Sequence, residues 1–480
     1  MRKLTRLLSV LAAAAAAGLS ACALGPNYRA PATPPTAARP FVSTTPGASA
    51  VEALPPGWWR LYQDPALDRL VQAALTENQD LKVAAANLDA ARALLSEARG
   101  ALLPSTTLAG EELYGRAAQT PGQPRSRLGR VYDASFDAAY EVDLFGRVRR
   151  SIEAARDNAQ ALQAAEDQVR VTVAAATAEA YAQACGFGEE LATAQDSLKV
   201  AQQTYDLTLV QRNAGAVSDF DLARAGTVLE EARAAVPAVD GQRRIALFEL
   251  AALLGRTPAE VPPEADACRI PPRIAQPLPV GDGVALLRRR PDVRQAERQL
   301  AASTARIGVA TAALFPTISL GGSITDAAGS TAGLNRAAAV SFGVGPLISW
   351  TFPNISVARA QVRQSRAEAS AALATFDSSV LQALKQAEQA LTAYNAELAR
   401  HAALGAAARD AGEAFRLANI QYQAGTASFL DLLTTQTALL EAQQNLAASD
   451  LALSADQVGV FRALGGGWEQ APPVKAPPAA

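Results

Sequence analysis

The residues best suited to metal binding or thiol chemistry are few in this chain of 480 residues: three cysteines and one histidine. Cys22 ends a run of apolar and small residues, whereas Cys185 and Cys268 lie far apart in the interior of the sequence. His401 lies in an alanine-rich stretch without a neighbouring cysteine or acid cluster. A zinc or di-metal site takes three or four such ligands. The sequence therefore predicts no metal site, no cofactor and no catalytic centre, and it leaves acylation and disulfide formation as the chemistry to consider.

The first 22 residues have the features of an export signal. Basic residues at the start are followed by an apolar run over residues 7–18, which ends in Leu-Ser-Ala-Cys22. That ending resembles the bacterial lipobox, in which the cysteine thiol is acylated and becomes the first residue of the mature protein. We expect residues 1–21 to be a signal peptide and Cys22 to carry a covalent lipid. An ordinary signal peptide with an incidental cysteine is the alternative. Ala23 stands where an aspartate would resemble an inner-membrane retention signal, which favours the outer membrane.

Composition argues against nucleic-acid binding and indicates how the interior is packed. Lys and Arg number 44 against 46 Asp and Glu, giving a net charge of −2, so no basic face is available for nucleic acid. Aromatic residues make up only 5% of the chain while 49% is hydrophobic. Alanine accounts for much of the apolar content, which favours thin seams between closely approaching helices over thick globular cores.

Two stretches recur in register about 210 residues apart. Residues 211–222 share Gln, Ala, Gly, Ser, Asp and Leu with residues 421–432 at a shift of 210, and residues 101–110 resemble 313–322 at a shift of 212. The chain is thus two copies of one unit rather than a solenoid of short repeats. The predicted divisions are an extended, lipidated tether over 22–56, a first repeat over 57–268, a second repeat over 269–464 and a tail over 465–480.

Most of each repeat is rich in strong helix formers with apolar residues three and four apart, which predicts long amphipathic helices. These stretches are about 64–100, 146–214, 218–255, 291–313, 355–424 and 428–465. The stretch 146–214 would extend about 100 Å at 1.5 Å per residue, farther than an ordinary domain is wide. Pro237 lies inside one stretch and is expected to break or kink its helix.

Four short stretches between the helices alternate with period two: 105–115, 131–142, 317–325 and 338–350. In the second, Tyr132 and Phe136 fall on one face, and Asp133 and Asp137 on the other. Such segments of roughly ten residues are typical of transmembrane β-strands, although a half-buried soluble sheet is the alternative. The two hairpins, at about 104–142 and 316–350, supply four strands. The smallest barrels need about eight, so an oligomer follows if these strands span a membrane.

Further motifs occur in a fixed order along the chain. They are Trp58-Trp59 with Asp64-Pro65, the stretch from Glu141 to Arg147, the stretch from Leu287 to Arg294, Ala305 to Ala310 with Phe315-Pro316, and Ala-Gly-x-x-Ser at Gly215 and Gly425. With them the chain resembles the TolC-like outer-membrane factors, and more closely the NodT-type lipoproteins of tripartite (RND-type) efflux pumps, over nearly its whole length after Cys22.

The resemblance implies a mainly α fold with a small β part. A homotrimer would complete a twelve-stranded transmembrane β-barrel continuous with a long α-helical barrel in the periplasm. Residues 257–283 and the terminal segments would form an equatorial belt, so that the tail over 465–480 is either equatorial or disordered. One departure is visible, because residues 350–354 stand where many relatives have a Phe-Asp-Gly-Gly junction.

The function implied is a passive, gated outer-membrane conduit that exports small molecules such as drugs or other toxic compounds, and not an enzyme. Its partners would be a periplasmic adaptor, an inner-membrane transporter and outer-membrane lipid. A pore-less periplasmic structural or adaptor coiled-coil lipoprotein is the alternative, although such a protein has no use for four alternating segments of membrane-spanning length.

Cys185 and Cys268 are the only cysteines left after Cys22. The periplasm is oxidising. Cys185 would lie about 60 Å along the helix that starts near residue 146, at a level where an equatorial segment containing Cys268 could meet it. We expect a disulfide, with two buried free thiols as the alternative.

The two repeated turns are expected to form the periplasmic tip. Gly215 and Gly425 suit the left-handed conformation in which many helices end, and Ser218 and Ser428 can cap the returning helices. Because these turns are the points farthest from the strands, they are expected to contact the adaptor.

The resemblance also implies a gate next to these turns. Asp431, repeated three times around the axis, would line a cation-attracting constriction, while Asp221 and Tyr422 would form a closing bond. The alternative is that both aspartates only stabilise the first turns of their helices through the helix dipole.

Overall fold

The computed structural model describes residues 23–43, 48–49, 54–115, 128–352, 355–472 and 474. Cys22 and the predicted signal peptide lie outside these residues. The chain forms two compact units. We call one the sheet unit, made of the described residues within 1–31, 88–162 and 295–377, and the other the helical unit, within 32–87, 163–294 and 378–480. Each unit draws on both halves of the sequence, so the compact units are not the two repeats.

Helices dominate the described residues, and four of them are long. The α-helices are α1 (Pro65–Glu77), α2 (Gln79–Gly100), α3 (Arg147–Asn213), α4 (Asp219–Leu253), α5 (Pro263–Asp266), α6 (Gly283–Arg289), α7 (Pro291–Ala312), α8 (Ile355–Gln423) and α9 (Phe429–Ala463). The strands are β1 (Ala48–Ser49), β2 (Ser105–Gly115), β3 (Gly129–Val142), β4 (Leu278–Pro279), β5 (Thr317–Ala328) and β6 (Val340–Ser349). The mainly α fold with a small β part is confirmed.

The sheet unit contains one antiparallel sheet in the order β2-β3-β5-β6. Each hairpin comes from one repeat, and the pair β3-β5 joins them, with Tyr132 opposite Ala328 and Val142 opposite Ile318. Strands β2 and β6 are the edges of the sheet in the single chain. These strands lie where the alternation of the sequence predicted them.

The sheet has one apolar and one polar face. Leu108, Phe136, Ile324 and Phe342 are cross-strand neighbours in a single row, and all four are exposed. The next row consists of Thr107, Asp137, Ser323 and Gly343. Since successive side chains of a strand point to opposite faces, the first row marks an apolar face and the second a polar one.

The helical unit has an aromatic core beside alanine-lined seams. Trp58 is fully buried and stacks on Phe461 at 4.7 Å between ring centroids. Along α3 the buried side chains are mostly small, among them Ala174, Ala178 and Ala184. Small side chains let helices approach closely, as the composition predicted. Among the described residues, none of the helices combines the length and hydropathy needed to cross a membrane.

A break or a kink was predicted at Pro237; the break is wrong, because α4 runs without interruption from Asp219 to Leu253, and the kink stays a prediction. Proline removes one backbone hydrogen bond within a helix. Pro237 lies on the exposed side of α4. Water can therefore satisfy the carbonyl that loses its partner, and the helix continues.

The start of the C-terminal tail packs inside the helical unit. Gly465, Gly466 and Gly467 are buried, and a β-carbon at Gly466 would stand 2.3 Å from the Leu54 side chain. The Trp468 ring lies 5.0 Å from the Arg294 guanidinium. Residues 473 and 475–480 of the tail are outside the described residues, as are 353–354 in the unusual junction.

Candidate functional site

The first turn, residues 214–218, joins α3 to α4. Gly215 has φ +74°, and its amide donates to the Arg212 carbonyl at 3.0 Å. Ser218 caps α4 in a reciprocal capping box: the Asp221 amide donates to Ser218 Oγ, while the Ser218 amide and hydroxyl both donate to Asp221 Oδ2. The turn therefore satisfies the backbone groups that both helix ends leave unpaired.

The second turn, residues 424–428, repeats this geometry between α8 and α9. Gly425 has φ +72°, and its amide donates to the Tyr422 carbonyl at 3.0 Å. Ser428 and Asp431 form the same capping box, with Asp431 Oδ2 as the common acceptor. The recurrence at a shift of 210 is thus a recurrence of backbone hydrogen bonds as well as of residue types.

Asp431 is exposed and Asp221 is half-buried, and both are ionised at neutral pH. The hydroxyl of the capping serine, and then its backbone amide, hold the pKa of Asp221 and of Asp431 below the ordinary value. A carboxyl whose pKa is lower in the folded state stabilises that state above its unfolded pKa. This contribution is lost as pH falls through the folded pKa. Each turn carries a fixed negative charge under ordinary conditions.

Tyr422 bonds to a residue that the sequence analysis did not assign. Its hydroxyl donates to Gln211 Oε1 at 2.5 Å. In the single chain Asp221 bonds to Ser218, so the closing bond between Asp221 and Tyr422 stays a prediction. Gln211 has a repeat counterpart in Gln421, and that recurrence was the available signal for it.

Around the second turn a small apolar cluster draws on all four long helices. Ala225, Phe429 and Leu433 form its buried part, and Tyr205, Val228 and Tyr422 pack against it. We call these residues the tip cluster. At the first turn the matching positions are exposed: Arg212 pairs with Asp219 at 2.7 Å, and Phe220 lies in solvent with the Arg224 guanidinium 5.5 Å from its ring.

In the helical unit, a segment crosses the long helices at the level of the remaining cysteines. The structure places Cys185 of α3 and Cys268 in a disulfide with their Cα atoms 4.8 Å apart. A β-carbon at Gly188 would stand 2.5 Å from the Cys268 carbonyl oxygen. The backbone of this segment therefore touches the backbone of α3, and only glycine fits at residue 188. We call residues 268–274 the strap.

Beyond the disulfide, polar side chains tie the strap to α8 and α9. Gln457 accepts from the Ile274 amide at 3.3 Å and donates to the Ile274 carbonyl at 3.1 Å. Arg273 forms an ion pair with Asp450 of α9 and lies 3.4 Å from Nε2 of His401 in α8, which also contacts the Asp450 carboxylate at 2.5 Å. The strap thus bonds to residues of three long helices.

His401 has an acidic partner that sequence reasoning missed, because Asp450 lies 49 residues away on another helix. A second acid lies nearby: burial, and then the charge of Asp450, raise the pKa of Glu189, while Arg273 opposes the shift. Within the described ranges, histidine, cysteine and carboxylate side chains form no group of three or more that could hold a metal ion.

Comparisons with known proteins agree with this architecture. The family model described as outer membrane efflux protein matches residues 70–256 and 284–466. Nodulation protein T of Rhizobium leguminosarum bv. trifolii is 32% identical over 89% of this chain and 91% of its own. The antibiotic efflux pump outer membrane protein ArpC of Pseudomonas putida is also 32% identical, over 94% of this chain and 93% of its own.

Solved structures share the fold along the chain. The outer-membrane channel OprN has a TM-score of 0.87 and 36% identity, covering 93% of this chain and 100% of that one. The open state of the Neisseria gonorrhoeae MtrE outer membrane channel has a TM-score of 0.81 and 27% identity, covering 94% and 99%. Since the family model covers most of the chain and relatives above 30% identity align over nearly all of it, the chain belongs to the outer membrane efflux protein family.

Proposed function

We propose that this protein is the outer-membrane channel of a tripartite efflux system. It acts as a passive, gated conduit that exports small molecules, such as drugs or other toxic compounds, across the outer membrane. Its partners are two further copies of itself, a periplasmic adaptor, an inner-membrane transporter and outer-membrane lipid. It performs no catalysis and carries no cofactor apart from a covalent lipid.

The two-faced sheet is the observation that carries this proposal. An exposed row of Leu108, Phe136, Ile324 and Phe342 suits a hydrocarbon environment, and the polar row beside it suits a water-filled lumen. The edge strands β2 and β6 carry backbone groups that need partners in a membrane. Three copies would supply twelve strands and pair these edges in a closed barrel.

Two measurements test the conduit. A trimer in detergent that dissociates only on heating, and discrete single-channel conductance in planar bilayers, are the expected results. A chain that becomes a soluble monomer after loss of its anchor, and that produces no conductance, would contradict the conduit and favour the pore-less periplasmic coiled-coil alternative.

We place the adaptor contact and the gate at the two turns. Gly215, Ser218, Gly425 and Ser428 would form the surface that meets the adaptor. Because each capping box uses only Oδ2 of its aspartate, the other oxygen of Asp431 remains available to a cation in the constriction.

The closing bond between Asp221 and Tyr422 would compete with the bond to Gln211. A tyrosine hydroxyl has one proton to donate, and in the single chain that proton is directed at Gln211 Oε1. The ionised Asp221 carboxylate can only accept hydrogen bonds. The closed trimer would therefore exchange Gln211 for Asp221 as the acceptor, and losing either acceptor would shift the gate.

Two covalent features complete the proposal. Cys22, after removal of residues 1–21, carries the lipid that anchors the tether over 22–56. Mass spectrometry of the mature amino terminus should find an acylated Cys22, and an unmodified start at another residue would contradict it. Cys185 and Cys268 are joined in the mature protein, which non-reducing peptide mapping can test by recovering the linked pair.

A further inference from the structure

The residues that directly follow Cys22 lie in a groove of the sheet unit. The Leu24 amide donates to the Phe145 carbonyl at 3.2 Å, at the junction of β3 and α3. Phe145 itself stacks on Phe315, with 4.8 Å between ring centroids. The amino-terminal segment is thus held where strands give way to helices.

Two glycines of the groove allow backbone to touch backbone. A β-carbon at Gly146 would stand 2.7 Å from Ala23 Cα, and one at Gly25 would stand 2.6 Å from Gly308 Cα. Gly308 lies inside α7, where glycine weakens a helix relative to alanine. Such a residue is explained by the space it leaves, because the Arg150 side chain crosses the same spot: a β-carbon at Gly308 would stand 2.7 Å from Arg150 Cγ.

Arg150 forms the floor of the groove. Its side chain is only 4% exposed, and its guanidinium donates to the Leu24 carbonyl, the Gly25 carbonyl and Asn27 Oδ1 at 3.2, 3.4 and 2.7 Å. The remaining nitrogen pairs with Glu153 at 2.8 Å. A buried arginine whose donors converge on one short peptide is a binding group rather than a solvated surface charge.

At the far end of the groove, both the hydroxyl and the ring of Tyr28 make contacts. Its hydroxyl donates to Glu297 Oε1 at 2.7 Å, and its ring lies 5.5 Å from the Arg298 guanidinium. The groove therefore contacts backbone, an amide, a ring and a hydroxyl of residues 23–28, which is enough to read sequence and not only to hold a chain.

We propose that Gly146, Gly308 and Arg150 form a receptor for the chain's own amino-terminal segment, residues 23–28, which fixes the lipid attachment point beside the base of the sheet. For the lipid this rests on the proposed acylation of Cys22. Gly146 belongs to the first repeat and Gly308 to the second, so the receptor is complete only when the two repeats have packed together.

Without this receptor, a long unattached segment would separate the lipid from the rest of the protein. Farther along, the tether packs at Ala37, whose carbonyl oxygen would lie 2.6 Å from a β-carbon at Gly283, and then at Val42 and Ser43, whose amides donate to the Glu388 carboxylate. The 14 residues between Cys22 and Ala37 could reach about 50 Å when extended, so a lipid at their end would not define the position of the sheet in the membrane.

Trypsin cleavage after Arg29 tests the receptor in the full-length trimer. Between residues 23 and 56 the only other basic residue is Arg39, which precedes Pro40 and resists trypsin. Gly308→Ala and Arg150→Ala should each release the segment and speed this cleavage about tenfold, the effect of losing one charge-assisted hydrogen bond. Gly241→Ala is the matched control, because Gly241 is a glycine inside α4 with open space around it.

Variants in the bound segment itself show whether faster cleavage comes from loss of binding or from misfolding of the groove. Asn27→Ala and Tyr28→Phe remove contacts without altering the walls of the groove, and they should also speed cleavage. Equal cleavage in the wild type and all four variants would overturn the receptor, as would rapid cleavage of the wild type. Mass analysis of the released fragment separates the two proposals: slow cleavage with an unmodified fragment keeps the receptor and rejects acylation.

Discussion

The first and second turns share one backbone and differ in what surrounds it. Both end a helix at a glycine of positive φ, and both begin the next with a serine and aspartate capping box. Yet the side chain of Phe220 is 66% exposed, while that of Phe429 is 8% exposed within the tip cluster. The two repeats therefore share the backbone conformation of the turn. A few side chains make the second turn well packed and leave the first exposed.

A displacement of one residue explains the difference. Phe220 lies two positions after Ser218, whereas Phe429 lies one position after Ser428. One position along an α-helix rotates a side chain by about 100°, which is enough to move a ring from solvent into a seam. The two hairpins also differ at their other ends, because only the first is closed by the disulfide to Cys268.

Removing the disulfide should have the largest effect on this comparison. Cys185 and Cys268 are 83 residues apart, and a loop of that size stabilises a fold by about 4.5 kcal/mol in the chain-entropy account. The double variant Cys185→Ser, Cys268→Ser should lower the midpoint of thermal unfolding, and a reductant should do the same to the wild type. The double variant itself should not respond to the reductant. If the reductant also leaves the unfolding midpoint of the wild type unchanged, the two cysteines are free thiols.

The phenylalanine at each turn should give the next largest effect. Phe429→Ala empties the centre of the tip cluster and should cost about 3 kcal/mol in the free energy of opening of the second turn. Phe220→Ala should change the first turn by less than about 0.5 kcal/mol, because its ring is exposed. Hydrogen exchange of the amides around each turn measures both. Similar losses of protection would show that the turns are energetically alike.

The turn glycines should instead behave alike. Gly215→Ala and Gly425→Ala force alanine to positive φ with open space around it, so each should cost about 1–2 kcal/mol from backbone conformation alone. Gly241→Ala, in the interior of α4, should stabilise its helix by about 0.5–1 kcal/mol and serves as a control of opposite sign. Unequal costs at the two turns would mean that their backbones differ in the assembled protein.

The smallest free-energy changes should appear in the gate, where conductance reports them sensitively. Tyr422→Phe combined with Asp221→Ala removes a bond worth about 0.5–1.5 kcal/mol, so the ratio of open to closed states should rise up to about tenfold. Gln211→Ala frees the Tyr422 proton for Asp221 and should favour the closed state. Asp431→Ala should reduce block by divalent cations. Unchanged conductance and block across these variants would place the gate elsewhere.

Local sequence patterns predicted the helices, strands and caps. They did not predict the side-chain contacts between residues far apart in the sequence. The caps formed by Ser218 and Ser428 depend on a spacing of three residues, so the sequence contains all that they need. The partnership of Tyr422 with Gln211, or of His401 with Asp450, depends on how separate helices pack, and residue types alone do not encode it. The expected break at Pro237 failed for a related reason: the free-energy cost of a proline inside a helix depends on whether that face of the helix is exposed to water.

The alternation in the sheet has a consequence for redesign. Alternate residues of each strand form the two faces of the sheet, so the residues of one face can be substituted without changing those of the other. Replacing Asp133 and Asp137 would change the charge of the wall facing the proposed lumen and leave Tyr132 and Phe136 in place. A deletion of one residue within β3 would exchange the two surfaces over the rest of that strand. Substitution can therefore change what this wall attracts, whereas an insertion or deletion inside the strand keeps both faces only when it involves two residues.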